Sequence, residues 1–157
     1  MAWAKKNWEK FVPKTSSKTA NTEYEDILSR ATQAGYAAMN AATPTPMVVQ
    51  QHAHPFDDDS PVVKEWYVSE GASGFAWVNI KGTTGFARYV KATRFDAPHH
   101  QKESEGGSWS ADSYYGGYSF WIWAGGQSLD RKKAFARAFA EVLTQAGIDA
   151  RAMSRMD

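Results

Sequence analysis

The sequence predicts an α+β domain: a mixed or antiparallel sheet of about four or five strands, two helices packed on one of its faces, and an additional Ala-rich helix nearer the N-terminus. Three observations carry that expectation. Residues 62–68 (VVKEWYV), 74–81 (GFAWVNIK) and 118–124 (YSFWIWA) are rich in β-branched and aromatic side chains and are bounded by glycine or serine turns. Residues 84–92 and 129–146 carry apolar side chains at helical spacing. From residue 62 onward the order is therefore β-β-α-β-α-β, closed by an alternating strand in IDARAMSRM (148–156).

Composition sets the limits. A chain of 157 residues, 43% hydrophobic and 22% charged, fits one soluble globular domain. The net charge of +1 gives no global attraction for nucleic acid, so any anion site must be local. There is no cysteine, which excludes disulfides, thiolate zinc sites and a cysteine nucleophile, and fits a reducing cytoplasm. No apolar run approaches the roughly 18 residues of a membrane span, and the basic start MAWAKKNWEKF lacks the apolar region of a secretory signal. No membrane partner is expected. The unusual quantity is the aromatic share of 14%, with 7 tryptophans.

Along the chain, residues 1–20 read as a basic, aromatic arm and linker, with a short amphipathic helix ended by Pro13. Residues 21–157 form the single domain. Thr22-x-x-Glu25 has the pattern of a capping box opening an Ala-rich helix over 23–42, ended by Pro44 and Pro46. Residues 47–50 suggest a short strand, and 51–61 a loop. Gly71 and Ser73 suggest a hairpin joining 62–68 to 74–81. Residues 96–117 read as a long polar, Gly-rich loop. After Gly125-Gly126-Gln127, Ser128 is placed to cap a helix whose apolar face is Phe135, Phe139, Val142 and Leu143, stopped by Gly147.

Alternation sorts the strand side chains into two faces. One carries Ala76, Val78, Ile80, Phe120 and Ile122 and is a helix-packing face. The other gathers Trp77, Asn79, Lys81, Trp121, Trp123, Arg151 and Arg155. Three explanations of this second face stand open: the helix over 23–42 covers it, it is a subunit interface, or it is a platform on which planar rings stack while Arg and Lys take phosphate.

Three motifs invite a chemical reading. In KGTTGF, Lys81, Thr83 and Thr84 lie between a strand and a helix, where free N–H groups cradle anions; the plainer reading is a helix cap by Thr84. His52 and His54 precede Asp57, Asp58 and Asp59, either metal ligands or a solvated acidic loop, with no diagnostic spacing. His99 and His100 stand near Glu103 and Glu105, a weak acid–base candidate. No paired-carboxylate or nucleophile constellation emerges, so no catalytic residue, metal or cofactor is assigned.

The segments TPTPMVV (43–49), GFAWVNIK (74–81) and the run from Gly116 to Asp157 together resemble a group of small conserved proteins carried by tailed bacteriophages and without an assigned function. The resemblance spans roughly residues 23–157, apart from the loop at 96–113. It implies the cytoplasm of an infected bacterium or a virion location, and an accessory role such as inhibition of a host defence protein. No residue role comes with it.

The combined expectation is a non-enzymatic binding protein, favouring a nucleotide or single-stranded nucleic acid. Trp77, Trp121 and Trp123 would stack, Lys81, Arg151 and Arg155 would take phosphate, and Asn79, Thr83 and Thr84 would add polar contacts. The alternative is a structural or protein-interaction subunit, homo-oligomeric, with residues 1–20 contacting a partner.

Overall fold

In a computed structural model the chain is described from residue 12 to 157; the short helix expected within residues 1–12 lies almost wholly outside the described residues. The first helix, α1, runs Val12–Ala41 without a break. Pro13 stands in the first turn of this described helix, where the N–H that proline lacks has no intrahelical acceptor to lose. The expected linker is helical, and Thr22, mid-helix, does not start it. Glu25, freed from any cap, serves elsewhere.

The strands fall into two sheets. β1 (Met47–His52) and β2 (Val62–Val68) pair antiparallel as a two-stranded ribbon. Four strands form the main antiparallel sheet in the order β4-β5-β3-β6: β3 (Gly74–Ile80), β4 (Gly107–Ala111), β5 (Tyr118–Ile122) and β6 (Ala150–Met156). The expected hairpin between 62–68 and 74–81 does not form. Gly71 takes φ +74° and lies so close to the Thr45 carbonyl that a Cβ would approach it to 2.3 Å. The chain turns there, Ser73 bridges to Ser128, and β3 departs into the other sheet.

The region 96–117 is not one loop. It holds α3 (His99–Glu105), the strand β4 and only then a tight turn. α3 buries no side chain, so it has no apolar period to read; His99–Glu103 (2.9 Å) and Gln101–Glu105 (2.7 Å) pairs one turn apart support it. Gly106, at φ +85°, ends it and presses on the ring of Phe135.

The remaining helices are α2 (Gly85–Arg94) and α4 (Leu129–Gln145), capped by Thr84 and Ser128 through side-chain oxygens that accept from Ala87 N–H and Arg131 N–H. Ala76, Val78, Ile80, Trp109, Phe120 and Ile122 form one face of the sheet, and Phe135, Phe139 and Leu143 of α4 fill against it with Phe86 and Val90 of α2. Ile27, Leu28 and Ala31 of α1 join the same core. α1 packs chiefly on α4, where a Cβ on Gly35 would meet the Phe135 ring at 2.8 Å. It does not cover the opposite face of the sheet.

Two buried cations hold the joints. Arg94, 7% exposed, donates to Glu25 of α1 (2.7 and 3.0 Å) and Glu105 of α3 (3.1 Å). Burial opposes its charge, but the two carboxylates outweigh that and raise its pKa. Lys132 is 6% exposed and donates to the carbonyls of Ile122, Trp123 and Ala124, fixing the end of β5; burial lowers its pKa.

The hydrogen bond from Arg94 holds the Glu25 carboxyl below its usual range. Glu25 therefore stabilises the fold above the unfolded carboxylate value, and that contribution is lost as pH falls through the depressed folded value. Thermal melting against pH is expected to show Glu25→Gln lowering the melting temperature at neutral pH and flattening the acid limb. An unchanged acid limb would contradict the joint.

Candidate functional site: an aromatic groove and an apolar ribbon

The uncovered face of the sheet carries a row of rings. Trp77 of β3 lies directly opposite Trp121 of β5, and their rings stack at 5.3 Å and 11°. Tyr115 approaches Trp77 from one side at 6.4 Å, and Phe75 approaches Trp121 at 5.5 Å. The Arg155 guanidinium ends the row, 5.3 Å from the centre of Phe75. Beside the row opens a groove of about 590 Å³, lined by Trp77, Trp121, Tyr114, Tyr115, Met153, Arg155 and neighbouring serines and backbone.

The turn between β4 and β5 forms one wall. Asp112 accepts from the N–H groups of Tyr114 (2.9 Å) and Tyr115 (2.8 Å) and from the Ser119 hydroxyl (2.8 Å). Asn79 donates to Gly116 O (2.9 Å) and Ser119 Oγ (3.1 Å). The Tyr115 N–H first, then the Ser119 and Tyr114 donors, hold the Asp112 carboxyl below its usual range. The turn is thereby fixed over Trp77, which is 8% exposed, and the Trp77 Nε1–H has no acceptor. That is an uncompensated cost in a buried polar group.

The nine residues expected to form a ligand site divide. Trp77, Trp121, Asn79, Arg151 and Arg155 share the open face, since Asn79 lies opposite Arg151 and Phe75 opposite Arg155 in the β3–β6 register. Trp77 is covered by its neighbours and presents little free ring. Trp123 stands beyond β5 against the His99 ring at 5.2 Å and does not line the groove. Lys81 pairs with Asp149 at 3.2 Å. Thr84 is the cap of α2, with Thr83 beside it, and Tyr24 Oη lies where a Cβ on Gly85 would stand at 2.8 Å. The KGTTGF turn is built as a helix cap.

Sequence reasoning missed the wall: Asp112, Tyr114 and Tyr115. The Asp-x-Tyr-Tyr-Gly-Gly pattern was a legible turn signal, with Gly116 and Gly117 at φ +79° and +65°. It placed strands at 47–50 and 62–68 but missed their pairing into the ribbon. Val48 opposes Tyr67 on one face of it and Val49 opposes Trp66 on the other, and these four are 51%, 70%, 39% and 41% exposed. No other described helix or strand packs substantially on it. His52 Nδ1 lies 2.8 Å from the Ser60 carbonyl, and among the described residues no group of three or more acidic or histidine side chains is placed to hold a metal ion. None of the described helices is long and apolar enough to cross a membrane.

No protein-family model matches the chain, and no match emerges among curated proteins or solved structures.

Replacing Asp112 by Ala is expected to release the turn. Amide hydrogen exchange at Tyr114 and Tyr115 should accelerate by at least about tenfold, and tryptophan emission should shift to the red as Trp77 is uncovered. Unchanged exchange at both amides would show that the carboxylate does not hold the wall.

Proposed function

We propose that the chain is a non-catalytic interaction subunit, an accessory or virion protein of a tailed phage, whose docking organ is the β1–β2 ribbon. The carrying observation is the exposure of apolar side chains on both faces of a ribbon whose two edges pair with no other described strand. Isolated two-stranded hairpins are marginal in water, open edges invite pairing, and contiguous exposed apolar surface marks a binding site. The groups with displaced pKa values support the same reading, because each is tied into a joint or turn: Glu25 with Arg94, Glu70 with Arg131, Asp112 with its donors, and Lys132 with three carbonyls. The expected attachment through residues 1–20 remains part of the proposal.

One observation favours a second reading, the nucleotide or single-stranded nucleic acid of the sequence analysis. Trp121 is half-buried beside Arg155 at an open groove. A base on Trp121 would gain roughly 1–3 kcal/mol from stacking. It ranks second because Trp77 is occupied by its neighbours, and Lys81, Thr83, Thr84 and Trp123 are engaged elsewhere.

The two readings predict different measurements. Light scattering of the chain, alone and with candidate phage or host proteins, is expected to show association that Val48→Ser with Tyr67→Ser abolishes while melting stays within about 3 °C of wild type, as for exposed substitutions. Association untouched both by that pair and by substitution of Phe56 at the ribbon's tip would refute the ribbon as docking organ. Titration of mononucleotides or short oligomers is expected to leave tryptophan fluorescence flat; saturable quenching that fades with salt and with Arg155→Ala would instead establish the second reading.

A further inference from the structure

The tip of the ribbon is ordered. Ser60, 8% exposed in an otherwise open element, accepts from His54 N–H (3.1 Å) and donates to Asp57 O (2.7 Å), while Ala53 N–H bonds Pro61 O (2.8 Å). This tied loop holds Phe56 fully outward, at 103% exposure, and follows it with Asp57, Asp58 and Asp59. A large aromatic carried in water on a hydrogen-bonded backbone, next to three carboxylates, is an anchor whose backbone is already ordered, so that only side-chain freedom is lost on binding.

The opposite chemistry stands on the same chain. The groove offers ring walls in Trp121 and Tyr115, the thioether of Met153 and the Arg155 guanidinium. Arg151 lies outside its lining, on the same sheet face two residues before Met153 and opposite Asn79. Neither arginine makes an ion pair among the described residues. Its one carboxylate, Asp112, is engaged by the turn. Its volume of about 590 Å³ leaves room for one aromatic side chain with its neighbours.

We infer that Phe56 of one copy docks in the aromatic groove of a second copy, with Asp57–Asp59 against Arg151 and Arg155. This rests on the reading of the ribbon as a docking organ and names its partner. Plug and socket are different surfaces, so two copies that exchange ribbons close as a twofold dimer, and one-way docking extends the assembly. Charge complementarity selects this occupant: three carboxylates meet two unpaired guanidinium groups, an arrangement that steers encounter and weakens with salt.

Sedimentation velocity of the full chain over a micromolar concentration series tests it. Wild type is expected to self-associate, and Phe56→Ser to weaken that association by about tenfold or more. Arg151→Glu with Arg155→Glu should leave a monomer, and so should Asp57→Lys with Asp58→Lys and Asp59→Lys. Mixed together, the two reversed chains should associate again, because each tip then finds a groove of opposite charge. All these positions are exposed, and melting curves verify that each variant is folded. A wild-type chain that stays monomeric, or folded reversed chains that fail to associate when mixed, overturns the inference. Association that survives the tip and groove variants but is lost with Val48→Ser and Tyr67→Ser overturns it too, while leaving the ribbon's docking role standing.

Discussion

The contact between Gly35 of α1 and the ring of Phe135 decides the layout of this molecule. A side chain at residue 35 would hold the helices apart, whereas glycine lets the α1 backbone settle on α4. Phe135 is thereby enclosed by α1, by Gly106 and by Phe120, and is wholly buried. α4 spends one side on the sheet and another on α1, so the long helix is committed to the helical side. The consequence reaches the far face, because no described element of comparable size remains to cover the row of rings on the sheet. Dense packing on one side is the physical reason for openness on the other.

What remains on the open side follows a common economy. The rings of Tyr115, Trp77, Trp121 and Phe75 shield one another, and the β4–β5 turn locks onto them through one carboxylate, Asp112. The groove is thus rigid where it is aromatic and charged at its rim. The ribbon repeats that design in reverse, with a hydrogen-bonded tip, one fully exposed ring and an acidic collar. Both surfaces rest on backbone tied by hydrogen bonds, which lowers the ordering cost of any contact they make.

Much of the main sheet was legible because alternation speaks directly about faces. The division between Val78 and Trp77, or between Phe120 and Trp121, follows from period two alone, and the cap at Thr84 and the apolar face of α4 follow from local rules. The errors share a cause, which is that partners come from distant sequence. Residues 62–68 are a good strand, but only the close approach of Gly71 to Thr45 shows that β2 turns away from β3. α3 has no buried residue to announce it. Glu25 matched a capping pattern while its real partner, Arg94, lies far along the chain. The site suffered in the same way: Trp123 and Lys81 have the right parity for the open face, yet the strand ends and Asp149 takes them out of the groove.

The central claim is that the described helices gather on one face of the sheet and that none of them covers the Trp77–Trp121 face. Tryptophan oxidation by hydroxyl radicals, mapped by mass spectrometry on a dilute, monomeric sample, tests it most directly. The account predicts ready modification of Trp66, Trp121 and Trp123 and protection of Trp77 and Trp109. A protected Trp121 in the monomer would mean that a helix or the N-terminal segment lies over the face, and would contradict the account.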